Sequence, residues 1–154
     1  MSDWHEIKST ADIDALLDQY GGFHDSCLVE LYYRSGAYVD KDNAMVCEPR
    51  ASYEMHMVFH SQWYKNPLEL CFNGVRKFNI VGFQDNYFCE ILDCYLAIHT
   101  DLIKGRDDPL IVWADDYGFS PYQVRQERLM LEPDTTYVVA HNLKWRFITD
   151  PVDN

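Results

Sequence analysis

Positive charge is scarce in this chain. Thirteen Lys and Arg stand against 25 Asp and Glu, a formal net charge of −12 over 154 residues. Phosphate backbones are bound through basic stripes that release counterions, and the sequence has none, which excludes nucleic acid as a partner. An anionic membrane surface is disfavoured on the same ground. Long apolar runs are missing as well: none approaches the ~20 residues that span a bilayer. The opening MSDWHEIKST is polar and acidic, unlike a secretory leader. The five cysteines, at 27, 47, 71, 89 and 94, contain no C-x-x-C pair. An odd count without framework spacing reads as reduced thiols in a cytoplasmic protein.

Sequence motifs with a fixed mechanism are also lacking. Neither G-x-x-x-x-G-K-[ST] nor G-x-G-x-x-G occurs, there is no G-x-S-x-G elbow, and the acidic pairs Asp107-Asp108 and Asp115-Asp116 lack EF-hand spacing. No cofactor is expected. Repeats, low-complexity tracts and linkers are absent, so residues 1–154 read as one domain.

What is present is apolar patterning and aromatic mass. Apolar residues make up 47% and aromatics 15% of the chain, enough for a globular core and a lean towards pleated structure. One helix is predicted in STADIDALLDQYGG, where Ile13, Leu16, Leu17 and Tyr20 form one stripe. Ser9 or Thr10 caps its start, Gly21 ends it, and Trp4 and Ile7 pack beside the stripe. The remainder reads as strands. CLVELYY places Cys27, Val29, Leu31 and Tyr33 on one face, and YEMHMVFH alternates Tyr53, Met55, Met57 and Phe59 with Glu54, His56 and His60. PLELCF runs into Asn73-Gly74, a hairpin signal with VRKFNIVGF as the return strand. FCEILDCYLAIH reads as a central strand, LIVWA as a short buried one, and TYVVAHNLKWRFI sets Tyr137, Val139, Leu143, Trp145 and Phe147 on one side. Stretches 34–51, 100–109 and 115–135 read as irregular, the last with a helical turn opened by Ser120-Pro121. The expected fold is α+β: an N-terminal amphipathic helix followed by a largely antiparallel, twisted sheet of about seven strands.

Three candidate sites follow. His56 and His60 would clasp a metal on a helix, but on a strand their Cα atoms stand about 13 Å apart. An ion with bonds of ~2.1 Å does not bridge that gap, so no metal site is expected unless ligands from elsewhere recruit one of the two. GGFHDSCLVEL carries His24, Asp25 and Ser26 in a row. On an extended chain Asp25 points away from the other two, so they form no catalytic triad. Each letter instead has a structural reading. The glycines reverse the chain, Phe23 plugs the corner, Asp25 accepts from turn amides and His24 pairs with a carboxylate or carbonyl. As binding candidates we carry forward His24, Asp25 and Ser26, with Asp115 and Asp116 from the third irregular stretch. No spacing selects a carboxylate pair for glycoside chemistry.

Trp4 before a short helix, then Phe23-His24-Asp25-Ser26 and a terminal Leu143-Lys144-Trp145-Arg146, resembles a group of small uncharacterised bacterial proteins. It also resembles the immunity proteins of polymorphic-toxin systems, several of which carry F-H-D after the first helix. That resemblance implies an acidic protein that binds and blocks a toxin without catalysis. The sequence therefore reads as a non-enzymatic protein-binding domain, monomer or homodimer, with a basic protein as the partner its charge favours. Two alternatives stay open: a small hydrolase using His24 and Asp25 with distant partners, and a homo-oligomeric structural protein.

Overall fold

The computed structural model describes residues 3–47, 53–82, 89–123 and 134–149. The helix α1 spans Thr10–Gln19, and Ser9 caps it. The Ser9 hydroxyl accepts from the Asp12 N–H at 3.3 Å while the Asp12 carboxylate accepts from the N–H groups of Ser9 and Lys8 at 2.9 and 2.8 Å. This reciprocal box satisfies amide donors that a helix start leaves orphaned. Ile13 and Leu16 are buried on its inner stripe, and Tyr20 follows them into the core.

Among the described residues nine strands flank this helix in sequence: β1 (His5–Ile7), β2 (Ser26–Arg34), β3 (Ala37–Val39), β4 (Met45–Cys47), β5 (Glu54–Ser61), β6 (Leu68–Asn79), β7 (Tyr95–His99), β8 (Leu110–Ala114) and β9 (Tyr137–Phe147). Seven of them make one antiparallel sheet in the order β2-β5-β6-β9-β8-β7, with β1 also paired to β9. β9 thus shares one edge between β8, along its first half, and β1, along its second. β3 and β4 form a separate hairpin. No helix among the described residues is long and apolar enough to cross a membrane. The α+β fold is the expected one.

One face of the sheet packs under α1. Its core joins Met55, Met57 and Phe59 of β5 to Leu68, Leu70 and Phe72 of β6, and to Leu143 and Trp145 of β9. Phe23, Phe59 and Trp113 meet as a ring cluster with centroids 5.2–5.8 Å apart, the edge-to-face spacing aromatic quadrupoles prefer. The opposite face divides in two. Beneath β7, β8 and β9 it is closed by Phe119, stacked on Tyr137 at 5.0 Å and against Tyr95 at 5.9 Å. Beneath β2, β5, β6 and the end of β9 no described helix or strand covers it, and it carries Glu54, His56, Glu69, Lys144 and Arg146.

Several expectations are corrected. Asn73-Gly74 makes no hairpin: β6 runs straight through it for 12 residues, with Gly74 at φ 67° and a bulge between Val75 and Lys77. A glycine in the left-handed region bends a strand as readily as it reverses one. This bend also divides the expected β9 face, since Tyr137 packs with Phe119 while Leu143 and Trp145 join the helix-side core. In β2 the register shifts between Leu28 and Glu30, so Leu28 rather than Cys27 and Val29 packs on the core. β7 is an edge strand, not a central one, and begins only at Tyr95. Trp4 does not join the helix stripe; it lies over Lys144 and Arg146, on the open face. Stretch 34–51 holds the β3–β4 hairpin as far as Cys47, its remainder lying outside the described residues. In 115–135, Gln123 N–H bonds Ser120 C=O at 3.2 Å, a single turn at the place where a helical turn is expected. Residues 124–133 of that stretch lie outside the described residues.

Gly74 provides the test of this reading. Replacing it with Ala forces an L side chain into the left-handed region at about 1–2 kcal/mol. A thermal melt should fall by about 2–4 °C per kcal/mol lost, and an unchanged melt contradicts the bent continuous strand.

Candidate metal centre on the open face of the sheet

Alternation along β5 and β6 sends every second side chain to the open face. Antiparallel register then aligns those side chains in cross-strand rows. Tyr32, His56, Cys71, Lys144 and Glu6 stand in one row across β2, β5, β6, β9 and β1. The neighbouring row is Arg34, Glu54, Asn73 and Asn142, and on the other side lies Glu30, Val58, Glu69 and Arg146. Imidazole, thiol, carboxylates and cations from five strands meet on one surface.

The centre of this patch is His56. Its Nδ1 lies 2.7 Å from Glu69 Oε1, and Glu69 is in turn held by Arg146 Nε at 2.7 Å. Its Nε2 hydrogen-bonds Glu54 Oε1 and stands 3.6 Å from Cys71 Sγ. Asn73 donates to the second Glu54 oxygen at 3.3 Å and lies 3.8 Å from the Cys71 sulfur. Trp4 forms the rim, with Arg146 4.3 Å and Lys144 4.8 Å from its ring centroid. The Tyr32 ring lies 6.5 Å from the imidazole on the other side. His56 and Glu54 reach solvent with side chains 26% and 38% exposed, whereas Cys71 forms the floor at 2%.

Glu54, His56 and Cys71 offer oxygen, nitrogen and sulfur atoms all within 4.8 Å of one another. A tetrahedral zinc ion with Zn–S and Zn–N bonds of about 2.3 and 2.1 Å separates its sulfur and nitrogen ligands by roughly 3.6 Å. The Cys71 to His56 distance of 3.6 Å has that length. The Nε2 to Glu54 contact is a hydrogen bond and has to open to admit an ion. A carboxylate on the distal nitrogen of a ligating histidine fixes its tautomer and orientation, and Glu69 occupies that position. Burial and then the Glu54 charge push the Cys71 thiol up to about 11, while the bond from His56 holds the Glu54 carboxyl below its usual range. Cys71 is therefore a thiol at neutral pH, and an ion would have to displace its proton to bind the sulfur.

Sequence reasoning missed Glu54 and Cys71 because it sought ligands within one segment. The available signal was parity: Glu54 with His56, and Glu69 with Cys71, are i, i+2 pairs beside apolar alternation. Which strand neighbours which is not written in either pair. His60, paired to Cys27 on β2, is not among the converging groups.

The candidates read from the F-H-D-S motif lie elsewhere, at the corner between α1 and β2. Gly21, Gly22, Phe23 and Asp25 all have positive φ, 55–66°. For a residue as bulky as Phe this is costly backbone, held in place by full burial of the ring. His24 Nδ1 lies 2.6 Å from the Leu92 carbonyl oxygen, and Nε2 lies 3.5 Å from Asp25. Leu92 and then Asp25 raise the imidazole pKa above its ordinary value. The Asp25 carboxylate does not accept from turn amides as expected; it takes the Trp63 indole N–H at 2.7 Å, the main cause of its lowered pKa. Ser26 is buried and donates to the Phe23 carbonyl at 2.5 Å. Asp115 closes the end of β8, its backbone and carboxylate bonding Thr136, and Asp116 accepts from Gly118 N–H at 2.9 Å. Each of these five residues has a hydrogen-bond partner within the fold.

Ser26→Ala removes the donor to a buried carbonyl and should cost about 1–3 kcal/mol, read as a lowered melting temperature. Because the His24 pKa is raised on folding, its contribution to stability is complete below the unfolded value and is lost as pH rises through the folded one. NMR titration of His24 should give a raised pKa that falls towards the ordinary value in Asp25→Asn. An undisturbed melt in Ser26→Ala together with an unshifted His24 contradicts the structural account of this corner.

No protein-family model, curated protein or solved structure matches the chain, so its function has to be argued from the site itself.

Proposed function

We propose that the protein is a small metal-dependent hydrolase, with a zinc-class ion held by Glu54, His56 and Cys71. The observation that carries this reading is the convergence of three different donor atoms around a histidine already oriented by Glu69. Three protein ligands leave the fourth tetrahedral position for water, the arrangement of catalytic rather than structural zinc. A metal in such a site supplies a hydroxide-like nucleophile at neutral pH. Around it the chain's own groups have distinct parts. Glu69 and Arg146 fix the imidazole, Asn73 holds the free Glu54 oxygen, and Trp4 and Tyr32 flank the solvent side. Relative to the expectation from sequence, the hydrolase reading moves from His24 and Asp25, whose polar atoms are spent on the corner, to the open face.

A second reading is the non-enzymatic, immunity-like binder. The net charge of −12 supports it, since an acidic surface steers basic proteins towards itself. Exposed Trp63 and Tyr117 supply contact residues of the kind interfaces favour.

Calorimetric titration of chelator-stripped protein with zinc should give one ion per chain, lost in His56→Ala and weakened about 10–100-fold in Glu69→Gln. Since the Cys71 thiol, pushed up to about 11, must give up its proton to the solvent on binding, apparent affinity should rise by about tenfold for each pH unit between about pH 6 and pH 8. The zinc-loaded protein should hydrolyse p-nitrophenyl acetate faster than the same concentration of free zinc. Absence of binding sinks the metal centre. Binding without any acceleration removes the hydrolase and leaves the binder.

A further inference from the structure

β2 lies at the edge of the sheet. It pairs with β5 on one side, and over Glu30–Arg34 no described residue pairs with its other side. Natural edges are blunted by short length, charged side chains, proline, a bulge in the exposed run or a covering helix or loop. This edge is nine residues long, and its bulge falls near Val29, leaving 30–34 regular. It exposes Val29, Leu31, Tyr32 and Tyr33, with Tyr32 at 53%. Through Ser35 and Gly36 it leads into the β3–β4 hairpin, where Tyr38, Val39 and Met45 are exposed too. A two-stranded hairpin is only marginally stable alone in water. Seven large apolar side chains between residues 29 and 45 therefore face solvent around an open row of backbone donors and acceptors.

We propose that this edge is covered by a second copy of the chain, β2 pairing antiparallel with the partner's β2 about a two-fold axis at Tyr32. The charges select that register. With Tyr32 opposite itself, Glu30 faces the partner's Arg34 and Arg34 faces the partner's Glu30, both on the open face. Leu31 then lies beside the partner's Tyr33 on the helix-side face. A slip of two residues leaves Arg34 opposite an uncharged residue, and a slip of one sets the helix-side face of one copy against the open face of the other. Opposite charges directly across an antiparallel pair are stabilising and like charges are not. The interface is isologous, as a closed dimer requires, and joins two seven-stranded sheets into one. It does not depend on the metal centre.

Light scattering behind size exclusion, over a micromolar to millimolar series, should give the parent a mass twice its 18.2 kDa. Arg34→Glu and Glu30→Arg, each placing like charges opposite one another, should both run as monomers. The double variant Glu30→Arg with Arg34→Glu restores the pairing and should return to dimer. Circular dichroism checks that each variant is folded, and the Glu30→Arg arm carries the test if Arg34→Glu is not. A parent that stays at 18.2 kDa, leaving this edge to some other protein, overturns the proposal. So does a dimer that survives both single reversals, or a folded double variant that remains monomeric.

Discussion

Met55, Met57 and Phe59 of β5 lie beside Phe72, Leu70 and Leu68 of β6, all fully buried, and this ladder leaves neither strand a choice of register. A slip of one residue in either strand would drive its polar pair, Glu54 and His56 or Glu69 and Cys71, into the core and expose its three apolar side chains. At about 1.5–3 kcal/mol for each large apolar side chain buried, that loss alone is comparable with the ~5–15 kcal/mol stability of a whole domain. The polar face is thus a consequence of the apolar one. Once β5 and β6 are locked, His56 falls between Cys71 and Tyr32, and Glu69 falls beside Arg146 of β9. The centre is placed by core packing several ångströms below it, which holds its groups on strands rather than on loops.

The corner at residues 21–26 serves the same end by a different route. Four left-handed residues turn the chain from α1 into β2 and drop Phe23 onto Phe59 and Trp113. Leu92, Trp63 and Asp25 tie the corner to the segments on either side. The motif with the strongest catalytic appearance in the sequence therefore works as a clamp between helix and sheet. The residues gathered on the open face, scattered over β5, β6 and β9, have the more chemically versatile arrangement.

Local physics was legible in the sequence. The capping signal at Ser9, the stripe of α1, the alternation of β5 and the buried run of β8 each depend on neighbours a few residues away, and each appears where expected. Long-range consequences were not. Asn73-Gly74 has the letters of a hairpin, but pairing with β9 on one side and β5 on the other keeps β6 extended through the bend. β1 is too short to announce itself and exists because β9 offers it an edge. The bulge in β2 reverses a parity that the letters alone suggest. Glu54, His56 and Cys71 become neighbours only through the β5–β6 register, which no single segment encodes.

The most direct test of the central claim is X-ray absorption at the zinc edge of the loaded protein. The account predicts a four-coordinate ion with one sulfur at about 2.3 Å and the remaining nitrogen and oxygen ligands near 2.0–2.1 Å, the sulfur shell vanishing in Cys71→Ser. A first shell of nitrogen and oxygen alone, unchanged by that substitution, would contradict it.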